Sequence, residues 1–364
     1  MRIAYVGQLS PGSNALARAE ALRRVGHDVV AIDTTRMFPQ GRWPERIYWR
    51  TGYRGISKVI GARLIAALRE ARVESLDLVW ISHGPEIDRS VLDYCRSEGV
   101  PSIAYNVDDP FGNRDGRRWA TFLRACNAYD AMIVVREPTV ADAVDHGVQR
   151  VLRVFRGFDE VVHAPRILPP DVTARYQARV SFIGSWEMGR GEFIERLLQR
   201  GVPISVWGNR WQRAPEWSAI SKAWRGPGVY GRDYSDAIQC AEIAIGLLSA
   251  ANRDLHTQRS LEIPALGTVL CAQRTEDHSI LFDDGKEGLF WTDADECADL
   301  CLGLLADDER RRRIARAGQE RVRAMYTRHE AIADAVVRFA VGDAKDIVVG
   351  AFDPVTGLIR SEAP

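Results

Sequence analysis

Lysine is nearly missing from this chain. Only Lys58, Lys222, Lys286 and Lys345 are lysines among 49 basic residues, and arginine supplies the rest. Arginine offers a planar fork that pairs two-pronged with phosphate or carboxylate, although a GC-rich coding bias would leave the same skew. Net charge is absent too: 49 acidic residues offset the 49 basic ones, which removes the global electrostatic footprint expected of a nucleic-acid binder. No apolar run approaches the length that spans a bilayer, and the opening MRIAYVG reads as a strand with no secretory apolar region. Cys95, Cys126, Cys240, Cys271, Cys297 and Cys301 form no CxxC pair. Cys297 and Cys301 share a helix face by spacing, but two thiols do not make a zinc site. The expectation is a cytoplasmic protein with buried, reduced thiols and neither a metal nor a cofactor. In the loop Gly7–Asn14 after the first strand GxGxxG is absent and no GK[ST] follows, so this loop is neither a dinucleotide fingerprint nor a P-loop.

What is present is a chain of 364 residues, 46% hydrophobic and 27% charged, which suits two soluble domains better than one core. Arg2–Gly7 reads as a buried strand, Gln8–Asn14 as a Gly/Ser/Pro loop, Ala15–Val25 as a helix and Asp28–Ile32 as the next strand. Further strands at 76–81, 101–105 and 131–135 alternate with helical stretches, the pattern of a parallel sheet with helices on both faces. The pattern restarts after Pro165, with strands at 179–183, 203–206 and 243–248. The fold class is therefore α/β, with two tandem Rossmann-like domains and a cleft between them. The expected boundaries are 1–165, a proline-containing linker at 166–178, and 179–325. A helix over 326–342 is expected to pack back on the first domain, and 343–364 form a tail without an assigned role.

Several segments fall at strand ends, where open α/β sheets bind ligands. The loop holding Gly7 and Gly12 precedes a helix, so its amides suit either an anion or a plain turn. Ser181–Gly191 is a strand ending in Gly184, then a loop with Ser185 and Arg190 at a helix start. A cation at a helix start is unfavourable without an anion, although Arg190 also reads as a solvated residue. Asn252–Trp291 reads as a short helix carrying Arg259 and Glu262 and stopped by Gly267, then a strand. Pro264 lacks an N–H, which predicts a helix that starts close to Leu261 or kinks there. Arg259 and Glu262 could also form a helical ion pair. His83 ends one strand and Asp108-Asp109-Pro110 another. Either group suits a base on a hydroxyl, and Asp before Pro is also an ordinary turn former. Asp293-Ala294-Asp295 reads as a helix N-cap.

These segments together resemble the GT-B glycosyltransferases of the family-4 type, and among them the spore-maturation CgeB-like branch. Gly157, Asp159 and Pro165 match the Gly-x-Asp-x-x-x-x-x-Pro segment that ends the family's first domain, with His163 in place of its aromatic. Arg190-Gly191 matches its Lys-Gly pair, with Ser185 where an arginine is frequent. Glu262 matches the second of its two glutamates, with Asp254 at the position of the first. The Arg259 and Glu262-Ile-Pro-Ala pattern and the Asp-Asp-Pro turn are similar to the CgeB-like form. The resemblance covers most of 1–340 and is strongest from 153 to 291.

The resemblance implies a hexosyltransferase of carbohydrate biosynthesis that is metal-independent and retaining. It would move a sugar from a UDP-, GDP- or dTDP-linked donor to a glycan, lipid, protein or small-molecule acceptor. Glu262 would hold the ribose and Arg190 the diphosphate, with Arg253 or Arg259 replacing the charge missing at Ser185. Asp254 and the amides after Gly7 would lie near the sugar, and the acceptor between His83 and Asp108/Asp109. A nucleotide-sugar epimerase of the same fold, or a nucleotide-sugar-binding protein without turnover, are the rival readings. Trp186, Trp207, Trp211, Trp217 and Trp224 either stack on a base or pack a loop-rich lobe. Arg42, Arg46, Arg50, Arg54 and Lys58 recur every four residues. They suit peripheral contact with a membrane or anionic acceptor, but Pro44, Gly52 and Gly55 oppose one continuous helix and leave a solvated face as the alternative.

Overall fold

The computed structural model describes residues 1–39, 45–112, 114–249 and 252–362. The chain divides into two compact units. Unit 1 comprises Met1–Arg156, Ser249–Asp254 and Tyr326–Pro364, and unit 2 comprises Gly157–Leu248 and Leu255–Met325.

Unit 1 opens with β1 (Arg2–Gly7), α1 (Asn14–Arg24) and β2 (Asp28–Asp33). Ser13 starts α1 by accepting from the Leu16 N–H, and Arg23 and Arg24 complement the negative end of its dipole. Next come α2 (Glu45–Thr51), α3 (Ile56–Glu70), β3 (Leu78–Ser82), α4 (Arg89–Ser97), β4 (Ser102–Asn106), α5 (Ala120–Ala125), β5 (Ala131–Val134), α6 (Glu137–Asp145) and β6 (Val151–Arg153). β3, β4 and β5 are buried at every residue, as continuous apolar strands covered on both faces must be.

Unit 2 contains α7 (Pro170–Tyr176), β7 (Ala178–Ile183), α8 (Arg190–Gln199), β8 (Ile204–Trp207), α9 (Trp217–Ile220), β9 (Trp224–Gly226), α10 (Gly231–Gln239), β10 (Ala241–Gly246), α11 (Arg259–Ala265), β11 (Val269–Gln273), α12 (Glu276–Leu281), β12 (Leu289–Trp291), α13 (Ala294–Leu305) and α14 (Asp308–Ala324). The chain then re-enters unit 1 through α15 (His329–Val341), β13 (Val349–Phe352) and β14 (Ile359–Ser361).

The strand order in unit 1 is β14-β13-β6-β5-β4-β3-β1-β2, and in unit 2 it is β12-β11-β10-β7-β8-β9. All pairings are parallel except β13 with β14. The order reverses between β1 and β3 in unit 1 and between β7 and β10 in unit 2. Such reversals open a crevice at the carboxyl ends of the strands, where α/β sheets take ligands.

One face of the unit 1 sheet carries a ladder of rings: Tyr5 stacks on Trp80 at 5.9 Å, and Trp80 on Tyr105 at 5.2 Å. Register sets this ladder, because Tyr5 pairs directly with Trp80 across β1 and β3. Burying each such ring contributes about 1.5–3 kcal/mol. α15 packs on the same face, with Ala335, Val336 and Phe339 buried among the ladder's neighbours. The tail beyond α15 widens the sheet, pairing Leu152 of β6 with Gly350 of β13.

One local expectation meets a different outcome, at the start of α11, and one is met, at the break between α2 and α3. α11 starts at Arg259, two residues before Leu261, and carries Pro264 in its interior. Its first turn is set instead by Gln258, whose carbonyl accepts from the Glu262 N–H at 2.9 Å. Gly267 ends the helix at φ +81, with its N–H on the Pro264 carbonyl at 2.9 Å, the left-handed conformation glycine adopts cheaply. α2 and α3 are separate helices, since Gly52 and Gly55 take φ +62 and +79 between them. Arg50, Arg54 and Lys58 are exposed, whereas Arg42, Trp43 and Pro44 and the side chain of Arg46 lie outside the described residues. Among the described residues no helix is long and apolar enough to cross a membrane.

Candidate functional site

In unit 2, α11 presents Glu262 with a side chain 8% exposed. Tyr234 of α10 donates its O–H to Oε2 at 2.6 Å, and His163 Nε2 faces Oε1 at 3.5 Å. The His163 ring is oriented by the Asp159 N–H, which donates to Nδ1 at 3.1 Å, so its ring proton sits on Nε2. Asp159 Oδ1 in turn accepts from the Val161 and Val162 amides at 2.8 and 3.1 Å. The segment that sequence reads as a hinge therefore also supplies a partner to Glu262. Burial, then the Glu262 charge, holds the Tyr234 phenol well above its usual range, and it remains an O–H donor.

Arg259 lies near the Tyr234 hydroxyl. Its Nε is buried without a hydrogen-bond partner, and the ion pair with Glu262 does not form. Among the described residues no carboxylate pairs with it. Arg190, at the reversal between β7 and β10, donates to the Ser185 carbonyl at 2.8 Å and reaches the Leu248 carbonyl at 3.4 Å, with Glu187 at 3.3 Å. It ties together the loops that follow the two strands. The Gly184 carbonyl accepts from Trp211 Nε1 at 2.9 Å.

The turn into α11 is anchored by a buried polar network that sequence reasoning missed. Thr275 caps α12 and donates to the Leu255 carbonyl at 2.6 Å. Ser260 Oγ accepts from the Thr257 N–H at 3.1 Å and meets His278 Nε2 at 2.8 Å. His278 Nδ1 donates to the Gln273 carbonyl at 2.6 Å. Burial pushes His278 down to about 4, so the ring is uncharged near neutrality. His256 and Asp277 pair at 2.6 Å, each side chain 2% exposed. The signal available in the sequence was Thr275 standing just before Glu276 and Asp277, a helix-start pattern. Its partners some twenty residues away carried no local mark.

In unit 1 the reversal between β1 and β3 is tight. A Cβ on Gly7 would meet the Ser82 Cβ at 3.0 Å, so Gly7 serves close packing of two strand ends. Gly12 takes φ +77 in the loop that Ser13 closes, its Oγ donating to the Gln8 carbonyl at 3.1 Å. His83 follows β3 in the left-handed region at φ +66, an uncommon conformation for a non-glycine residue. Arg18 Nη2 donates to Ser82 Oγ at 3.1 Å, which leaves the Ser82 O–H to face His83 Nδ1 at 3.5 Å. Nε2 then carries the proton and faces Asp108 at 3.9 Å.

Burial lowers His83 to about 4, with Arg18, Arg118 and Arg156 acting against the pull of Asp108. For Asp108 burial acts upward, but His83, Arg118, Arg156 and Arg136 together bring it below its usual value. His83 is thus a neutral N–H donor and Asp108 an anion, each about a quarter exposed (26% and 28%). This favours hydrogen bonding to a hydroxyl over strong base action by His83.

The other two acidic candidates are enclosed. Asp109 is fully buried, accepts from the Phe111 and Gly112 amides at 3.2 and 3.0 Å, and receives Arg253 two-pronged at 2.6 and 2.9 Å. Arg253 also meets Asp142 at 2.6 Å. Asp254, 5% exposed at its side chain, takes Arg136 at 2.5 Å and Arg156 at 3.0 Å. Arg253 and Asp254 thus hold the segment 249–254 within unit 1, and Arg253's charge is spent on two aspartates.

The tryptophans of unit 2 pack. Trp211 is fully buried and meets Phe182 edge-on at 6.0 Å, and Trp217 meets Trp224 edge-on at 5.7 Å. Asp293 caps α13 by accepting from the Glu296 N–H. Cys271 joins Cys297 and Cys301, their sulfurs all within 4.8 Å, inside an apolar cluster. Hydrogen bonding with Cys297 and Cys301, together with burial, raises the Cys271 thiol well above its usual range. The same contacts with Cys271 and Cys297 draw the Cys301 thiol the other way, well below its usual range.

The profile of a family described as glycosyl transferase-like matches residues 190–336, the stretch containing Arg190, Arg259 and Glu262. No curated protein matches the chain. Among solved structures, HepE of Anabaena in complex with UDP-glucose is similar at a TM-score of 0.63 and 12% identity, over 93% of this chain and 98% of that one. A sucrose-phosphate synthase from Thermosynechococcus elongatus gives 0.61 and 14%, over 93% and 98%. The UDP-GlcNAc 2-epimerase of Neisseria meningitidis, bound to UDP-GlcNAc, gives 0.54 and 11%, over 94% and 100%. At such identities the likeness is one of architecture: the chain has the GT-B glycosyltransferase fold, built from two Rossmann-like α/β units.

Proposed function

We propose that this protein is a glycosyltransferase whose unit 2 holds a nucleotide-sugar donor. The observation that carries the reading is the pairing of Glu262 and Arg259 on α11. Glu262 is a nearly buried carboxylate with lone pairs to spare, and Arg259 is a cation without a carboxylate partner among the described residues. A nucleoside diphosphate answers both, offering hydroxyls to Glu262 and an anion to Arg259. As the bond between the sugar's anomeric carbon and the phosphate oxygen breaks, its electron pair leaves with the diphosphate. A fixed cation stabilises that charge most when no competing anion is bound to it. Arg190 backs the same site by fixing the loops after β7 and β10. The acceptor hydroxyl forms the new bond to the anomeric carbon and gives up its proton to a base, the role proposed for ionised Asp108, with His83 Nε2–H as a hydrogen-bond donor beside it.

UDP-linked donors are the first to try, since HepE binds UDP-glucose and the epimerase binds UDP-GlcNAc. Membership of the CgeB-like branch, hexosyl transfer, retention of configuration and metal independence are finer proposals that rest on the resemblance. A cytoplasmic location is supported by the unpaired cysteines. The epimerase likeness keeps a second reading in view, because that enzyme class has the same architecture.

A melting-temperature panel of UDP-, GDP- and dTDP-sugars tests the proposal. One nucleotide should raise the transition, and Glu262→Ala should remove the shift. No shift with any nucleotide would overturn the donor-site reading. Product analysis with donor alone then separates the two enzymes, since epimerisation needs no acceptor.

A further inference from the structure

Cys271, Cys297 and Cys301 converge on one point from two elements that are remote in sequence. Cys271 lies on β11, and Cys297 and Cys301 lie one helical turn apart on α13. All three are fully buried. The Cys271 sulfur is 3.9 Å from each of the other two, and all three sulfurs lie within 4.8 Å of one another. A point equidistant from sulfurs so spaced is at most about 2.5 Å from each, close to a metal–thiolate bond of about 2.3 Å. A disulfide needs about 2.05 Å between two sulfurs and would leave the third thiol over. Sequence spacing marks only the pair on α13, because the fold brings the third sulfur from β11.

The surroundings select the kind of ion. Ile243, Ile245, Leu289 and Leu304 belong to the same buried apolar cluster, and no histidine or carboxylate joins the three sulfurs among the described residues. Ca²⁺ and Mg²⁺ need oxygen ligands, and structural Zn²⁺ and iron–sulfur clusters take four protein ligands. A soft ion satisfied by sulfur alone is left, and Cu(I) is that ion. The same face of the sheet offers a donor to a thiolate. Trp291 pairs with Gln273, which shares a face with Cys271, and its Nε1 is buried without a hydrogen-bond partner.

We propose that Cys271, Cys297 and Cys301 form a Cu(I) site that pins β11 to α13. Each thiol that binds as a thiolate gives its proton to solvent, and the cation offsets charge that the apolar cluster could not hold alone. The sulfurs are fully buried, so the ion enters while unit 2 folds, and its affinity is expressed as folding stability. It takes no part in the proposed sugar transfer.

The test is anaerobic refolding of the full chain with Cu(I) or Zn²⁺, followed by competition with a coloured chelator for each ion. The wild type should retain one Cu(I) per chain, and X-ray absorption at the copper edge should show sulfur ligands alone. Cys271→Ala and Cys301→Ala should each lower Cu(I) affinity by at least about 100-fold, since even groups outside a ligand set change it about 10–100-fold. Replacing Cys95, Cys126 and Cys240 by alanine removes the other thiols and should leave Cu(I) binding as in the wild type. Bound Cu(I) should raise the urea midpoint of the wild type and leave that of Cys271→Ala unchanged. If Cys271→Ala does not refold, Cys297→Ser, which keeps the size of the side chain, carries the same expectation. No Cu(I) on the wild type, retention unchanged in both Cys271→Ala and Cys301→Ala, nitrogen or oxygen ligands at the copper, or a preference for Zn²⁺ would overturn the proposal.

Discussion

The carboxyl edges of the two sheets treat charge in opposite ways. In unit 1 the charged groups mostly answer one another: Asp109 and Asp142 take Arg253, Asp254 takes Arg136 and Arg156, and Asp108 takes Arg118 at 3.2 Å. In unit 2 the site carboxylate Glu262 meets a phenol and an imidazole, and among the described residues Arg259 has no carboxylate partner. Internally matched charge stabilises a fold once its desolvation is offset, whereas unmatched charge is held ready for something else. By that criterion unit 1's aspartates and arginines are mainly architectural, and unit 2's pair is the proposed binding apparatus.

The sharpest way to break this contrast is Asp254→Asn. It leaves Arg136 and Arg156 without their shared anion and should cost about 3–5 kcal/mol of unfolding free energy in urea. Nucleotide affinity measured under native conditions should barely move. Glu262→Gln should do the reverse, lowering nucleotide affinity about 100-fold or more while the urea midpoint stays near wild type. If Glu262→Gln proves the more destabilising of the two, the assignment of roles is inverted. Arg259→Met comes next, with about a 10-fold loss for the nucleoside diphosphate and none for the nucleoside, by calorimetry. An equal loss for both would mean that Arg259 does not meet the diphosphate.

Acidity sharpens the same comparison with a smaller effect. His83 and His278 both have folded values near 4, below the unfolded 6.5. The unfolded chain therefore binds more protons between those limits, and stability falls as pH drops from 6.5 towards 4 and is flat above. A fully buried histidine contributes at most about 1.4 kcal/mol per pH unit. His83 is a quarter exposed, and solvent screening reduces its share. His278→Gln should flatten the slope of urea stability against pH more than His83→Gln, and the opposite order would contradict the burial argument.

The sequence made the architecture readable because its signals are local. Strands at Arg2–Gly7 and 131–135, the stop at Gly267 and the break before His329 follow from apolar period, glycine and capping residues. Glu262 was singled out by its match to a family motif whose second position lies on α11. The pairs that decide the roles were hidden because sheet order makes them. Asp254 meets Arg136 across 118 residues and Arg156 across 98. His163 and Glu262 are similarly remote, and nothing in either neighbourhood marks the other. Pro264 shows a local rule losing to tertiary context: the missing N–H argued for a start near Leu261, yet the network through Thr257, Ser260 and His278 fixes a turn at Arg259.

The return of the chain to unit 1 after Met325 has a consequence for synthesis. On the ribosome, β6 emerges long before β13, its neighbour in the finished sheet, and α1 long before α15, which packs against it. Until Tyr326–Pro364 leave the exit tunnel, the nascent first unit carries an open strand edge and an uncovered apolar face, both of which invite aggregation. All of unit 2 has by then been translated. Of the two units, the amino-terminal one is thus completed second, and the segment after Met325 acts as its closing clasp.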